Sequence, residues 1–210
     1  MRVRSVNVSL PRMVEMGGRT VRTAIFKEPV AGPVRVHPLH LEGDGQADLR
    51  YHGGPTKAVY AYPWEHYAHW QEFLAVDDLP PGYFGENLTT EGLDEREVRI
   101  GDSFRIGTTL LQVSEPREPC SKLAAKTGRR DLLKPFLASG RVGFYLRVLE
   151  EGELAAGDVI EPVSVDPAGL TIVELLRVTH FERDDRAGAR RAVAVEALAE
   201  GWRQRLLTRL

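Results

Sequence analysis

The sequence predicts a mainly β protein with helices (α+β), in which a bent β-barrel over residues 1–165 precedes a small three-helix bundle over 170–210. Three observations carry this. Short alternating apolar runs, punctuated by Gly and Pro, recur up to about residue 163, as in a closed or strongly bent sheet. The pattern changes at Asp166-Pro167-Ala168-Gly169, beyond which eight arginines and strong helix formers replace it. No apolar run approaches 18 residues, so the core is built from many short elements and no membrane span is predicted.

In chain order, Val3, Val6 and Val8 alternate as a strand, Thr20 to Phe26 follow a Gly17-Gly18 turn, and Val34-Arg35-Val36 make a third run. Leu41 to Asp48 is a glycine-punctuated acidic loop that leads into Tyr51-His52-Gly53-Gly54-Pro55-Thr56-Lys57. Two glycines before a proline let backbone approach a ligand and form an anion-binding nest, which Lys57 complements; the same residues also suit an ordinary turn. Ala58 to Tyr62 alternates as a strand, and Pro63 opens a helix at its first position. Trp64, Tyr67, Trp70 and Leu74 then recur at helical spacing as a core stripe. His66 and His69 on that helix could suit zinc, but no third ligand has recognisable spacing. Tyr83 to Leu93 reads as a loop around Asn87, and Val98 to Gly107 as two short strands about a Gly-Asp turn. Thr109 to Val113 is a strand, and Arg129 to Ser139 a short helix ending near Gly140. Val142 to Leu149 and Gly157 to Val163 are strands, the first turned back at Glu151-Gly152-Glu153. In the tail, Thr171 and Glu174 form a capping box for a helix to about Thr179. Asp184 or Asp185 caps a second helix through Val193, and a third carries Trp202, Leu206 and Leu210 on one side. Three short helices bury little alone, so they dock on the barrel or on another subunit, and a homodimer is one such arrangement.

The stretch Ser114 to Leu123 holds the sole cysteine, Cys120, between Pro116 and Pro119 and flanked by Arg117 and Lys122. Prolines stiffen the segment, and Lys122 to Lys126 reads as a helix stopped by Gly128 in the left-handed region. Cys120 then sits at a strand-to-helix corner, where unpaired N–H groups and two cations favour a thiolate. A soft thiolate suits a thiophilic metal or sulfur transfer. A single cysteine is also compatible with a small buried hydrophobe.

One cysteine excludes a disulfide framework and points to a reducing, cytoplasmic setting. The net charge of −2 argues against nucleic-acid binding, and the alternating N-terminus has no apolar signal core.

Taken together, Leu41-Glu42-Gly43-Asp44, His52-Gly53-Gly54-Pro55, Phe84-Gly85-Glu86-Asn87-Leu88, Ile100-Gly101-Asp102 and Pro116-Arg117-Glu118-Pro119-Cys120 resemble the MOSC family, named for the C-terminal domain of molybdenum cofactor sulfurases. The tail resembles that of the stand-alone bacterial branch, which includes reductases of N-hydroxylated bases such as 6-hydroxylaminopurine. The resemblance implies a barrel that binds molybdenum cofactor, with Cys120 as the molybdenum ligand. Gly53, Gly54, Lys57, Asn87, Arg117 and Lys122 would hold the rest of the cofactor. It further implies reduction of a small N-hydroxylated substrate, with His52 as the first candidate proton donor and Glu86 the second. No GxGxxG follows a strand and no cysteines cluster, so electrons would come from a separate reductase protein. The alternative is a non-catalytic carrier of the cofactor, or of persulfide sulfur on Cys120.

Overall fold

The computed structural model describes residues 1–48 and 52–210; Tyr51 of the second loop lies outside them. The chain opens with β1 (Arg2–Val8), the hairpin β2 (Arg12–Met16) and β3 (Arg19–Thr23), then β4 (Glu28–Pro29) and β5 (Val34–Val36). A 3-10 turn over Pro55–Lys57 leads to β6 (Val59–Pro63), then to a second turn and helix α1 (Tyr67–Leu74). Next come β7 (Leu88–Glu91), β8 (Ser103–Ile106) and β9 (Thr109–Pro116). Helices α2 (Ser121–Thr127) and α3 (Leu133–Ala138) precede β10 (Phe144–Glu150), β11 (Gly152–Leu154) and β12 (Ile160–Ser164). The tail holds α4 (Ile172–Leu176), continued by a π turn over Arg177–Phe181, then α5 (Arg186–Ala194) and α6 (Glu200–Leu207).

Eight strands form one sheet in the order β12-β8-β9-β10-β6-β7-β1-β4. Its ends approach each other. Val3 N–H donates to Asp158 O, Gly157 N–H to Val3 O and Ile160 N–H to Met1 O, so β1 joins the segment entering β12. The expected strong bend is therefore built from backbone hydrogen bonds. One pair, β6 with β7, is parallel, and α1 lies in the crossover between them. That crossover buries Tyr67 and Trp70, with Phe84 and Phe136 stacked near Tyr62, which accounts for the aromatic stripe. Leu123, Phe136, Leu175, Trp202 and Leu206 share one buried cluster with the strands, so the tail docks on the sheet.

Several local readings change. Leu88–Glu91 is a strand rather than part of a loop, because β1 and β6 supply partners on both sides. Val98–Ile100 is not a strand. Its backbone bonds to the tail instead, through Ile100 N–H to Leu170 O and Ile172 N–H to Val98 O. Gly152 begins a strand paired with β5 instead of a simple turn. Of the two histidines considered for zinc, one is engaged elsewhere. His66 is buried with Nε2 2.6 Å from Glu95 Oε2, and no metal-holding group of side chains occurs among the described residues. Glu95 Oε1 in turn accepts from Gly143 N–H at 2.7 Å, tying the α1 approach to the start of β10. No helix among the described residues is long and apolar enough to cross a membrane.

Candidate functional site

Strand β9 runs through Pro116, and Cys120 is the N-cap of α2 in extended conformation (φ −125°, ψ 165°). Its carbonyl accepts from Leu123 N–H at 3.0 Å, and Gly128 ends the helix in the left-handed region at φ 68°. The predicted strand-to-helix corner is present. Cys120 is part-exposed, on a ridge between an inner cleft and an outer groove whose linings share His52, Lys57, Cys120, Lys122 and Tyr145.

The inner cleft, with its open mouth, spans about 590 Å³. Lys27, Lys57, Lys122 and Arg117 bring positive charge to it, against Asp44. Burial pushes the Cys120 thiol up, but the hydrogen bond with His52, the Arg117 charge and the Leu123 N–H outweigh it and bring the thiol down to about 6. The group is thus poised as a thiolate near neutral pH. Arg117 is 5% exposed and passes Nη2 at 3.9 Å from Sγ. Its buried Nη1 has no hydrogen-bond partner among the described residues. A buried guanidinium nitrogen with an unused donor favours an anionic oxygen beside it.

The structure brings together His52, Lys57, Asn87, Arg117, Cys120 and Lys122 around the inner cleft. Gly53 and Gly54 are not among its lining residues. Gly54 (φ 99°) instead starts the 3-10 turn, accepting from Lys57 N–H at 3.0 Å, so that N–H serves the turn rather than a ligand nest. Asn87 reaches the cleft, but its amide is largely spent as a brace. Oδ1 accepts from Tyr60 N–H at 3.1 Å, while Nδ2 donates to Asp44 Oδ2 at 2.9 Å and to Asn7 O at 3.3 Å. Glu86, the second proton candidate, is fully buried and outside the lining. It accepts from Tyr67, Thr89 and the Gly82 and Phe84 N–H groups, and burial raises its carboxyl. It secures the loop before β7 and does not face the thiol.

Sequence reasoning missed Lys27, Asp44 and Tyr145 as cleft residues. Lys27 is nearly buried and ion-paired with Asp44, which also accepts from Ser9 N–H at 2.9 Å. Asp44 stands in a recognised loop, which was the available signal; a single lysine after Ile25-Phe26 gave none. Burial raises the Tyr145 hydroxyl to about 12, so it stays protonated, within reach of the charges of Arg117 and Cys120.

The tail reaches this centre through both glutamates of the cysteine stretch. Glu115 is buried and accepts from Trp202 Nε1 at 2.9 Å and Thr56 Oγ1 at 2.7 Å, with Lys57 Nζ 3.7 Å away. Glu118 takes a two-pronged contact from Arg205 at 2.6 and 3.1 Å. His180 Nε2 lies 3.0 Å from Glu118, at ion-pair distance without a well-aligned hydrogen bond.

A bent sheet thus presents one activated cysteine beside a basic cleft, and the C-terminal segment contacts its cysteine loop through His180, Trp202 and Arg205. The chain belongs to the MOSC domain family, whose profile matches residues 48–161, and residues 170–210 match the YiiM-like, 3-alpha helix domain. It is similar to the YflK protein of Bacillus subtilis, with 42% identity over 201 residues, 96% of this chain and 90% of that one. The solved structure of YiiM from Geobacillus stearothermophilus superposes with a TM-score of 0.86 at 38% identity, covering 100% of this chain and 98% of that one. A Gibberella moniliformis protein named Reductase is 38% identical over 146 residues, 68% of this chain and 26% of its own length.

Proposed function

We propose that this protein is a molybdenum-cofactor-dependent reductase of N-hydroxylated compounds, of which N-hydroxylated bases such as 6-hydroxylaminopurine are the representative class. The observation that carries the reading is the Cys120 thiol held down to about 6 beside a buried Arg117 with an unused donor. These residues fit the group that MOSC proteins are associated with. A soft thiolate suits molybdenum, and an orphan guanidinium nitrogen with Lys57 and Lys122 suits oxo and phosphate oxygens. The fungal relative named Reductase, matched over 26% of its own length, supports an oxidoreductase over a non-catalytic carrier.

When bound, the cofactor would supply the two-electron reduction that cleaves N–O, the electrons coming from a separate reductase protein. This chain does the rest. Cys120 provides the anchoring sulfur, and Arg117 orients an anionic oxygen next to it. His52, hydrogen-bonded to the thiolate, holds a proton at the edge of the cleft for the departing oxygen. The Tyr145 hydroxyl is a second fixed donor there.

The test is to express the protein in a host that makes molybdenum cofactor, measure its molybdenum and assay reduction of 6-hydroxylaminopurine with an artificial electron donor. Turnover that Cys120→Ala abolishes, in a variant that still folds, supports the reductase. A persulfide on Cys120 by mass spectrometry, with no turnover, would replace it with the sulfur-carrier reading.

A further inference from the structure

We propose that the substrate is taken in its nucleotide form, with the N-hydroxylated base beside Cys120 and its phosphates in an arginine-lined cleft of the C-terminal helices. This rests on the reductase reading of the Cys120 centre.

The outer groove is lined by both Cys120 and Arg205 of α6. Arg205 is also a wall of a second, open cleft, lined further by Thr179, Arg183, Asp184, Arg186, Thr208 and Arg209. One guanidinium therefore lines both spaces. Four arginines face this cleft against one carboxylate, in a chain whose overall charge is −2, so the positive potential is local.

These arginines are not equivalent. Arg205 is committed to Glu118. Arg209 spends Nη1 on Val178 O at 2.9 Å and Nη2 on the carbonyls of Glu182 and Arg183, which secures the π turn. Arg183 and Arg186 are exposed and have no ion pair among the described residues. Independently of charge, two of its lining residues each carry a buried polar atom without a hydrogen-bond partner among the described residues: Oγ1 of Thr179, a residue only 4% exposed, and Nε of Arg209. Thr179 is carried on the π turn, a distortion frequent at functional sites. Free guanidinium forks beside unpaired donors, with few acceptors, match a group that offers several anionic oxygens. Phosphate does so, and a nucleotide joins it to the base that the proposed chemistry already requires.

Two measurements test this. Reduction of 6-hydroxylaminopurine is compared with that of its nucleoside and nucleoside 5′-triphosphate, in the wild type and in the Arg183→Ala/Arg186→Ala double variant. The triphosphate should exceed the free base by about tenfold in kcat/KM, chiefly through KM, and the double variant should collapse that ratio toward one. Separately, inorganic tripolyphosphate is titrated calorimetrically into the cofactor-free protein. Binding should weaken with added salt and be lost in the double variant. Equal kcat/KM for base and triphosphate, or a ratio untouched by the double variant, overturns the inference, as does absence of tripolyphosphate binding. Should no N-hydroxy compound be reduced, the reductase reading falls, while the titration still decides the cleft.

Discussion

Replacing His52 with alanine removes the first of the contacts that hold the Cys120 thiol at about 6. At pH 7, a thiol titrating at about 6 is roughly nine-tenths thiolate, whereas an ordinary one near 8.5 is only about 3% ionised. Burial alone would take Cys120 above that ordinary value, and Arg117 Nη2 at 3.9 Å offsets only part of it. The His52→Ala midpoint should therefore rise by about 1 to 2 units. The alkylation rate at pH 7 is a poor readout. A less acidic thiol is also a stronger nucleophile, with a Brønsted slope of about 0.4–0.5, so much of the lost ionisation is offset. The assay is the full pH profile of iodoacetamide reaction with the cofactor-free protein. The wild-type midpoint should lie near 6. A wild-type midpoint at 8.5 or above, or one that His52→Ala leaves in place, refutes the electrostatic reading of the site.

Asn87→Ala leaves the buried Tyr60 N–H without its acceptor and Asp44 without one donor, and should cost about 2–3 kcal/mol in urea unfolding. Gly143→Ala should cost at least about 2 kcal/mol by the same measurement: φ is +68° and a Cβ would meet Ala61 O at 2.4 Å. Burial raises the Glu118 carboxyl, but His180 and Arg205 outweigh it and hold it at about 2. A carboxyl depressed in the folded state contributes stability in full above its unfolded value of about 4.3. That contribution is lost as pH falls through about 2. Because Glu118 is partly exposed, the contribution is about 1 kcal/mol or less, and Arg205→Ala should flatten stability against pH across that window.

Local chemistry was legible in the sequence where short-range rules decide it. The corner at Cys120, the left-handed stop at Gly128, the capping box at Thr171 and Glu174 and the Asp185 cap each depend on residues within a few positions. What escaped depends on distant partners. Strand β7 is four residues long and exists because β1 and β6 flank it. Asn87 looked like a ligand residue because its three partners, Asn7, Asp44 and Tyr60, are scattered through the chain. Lys27 became a cleft residue only when the fold brought Asp44 to it. The reverse holds for Gly54, whose permissive backbone served a tight turn.

The most direct measurement is molybdenum-edge X-ray absorption on protein loaded in a cofactor-making host, for the wild type and for Cys120→Ser. A sulfur scatterer present in the wild type beyond those of the cofactor, and absent from the variant, is the predicted result. Identical sulfur coordination in the two proteins would contradict the assignment of Cys120 as the metal ligand.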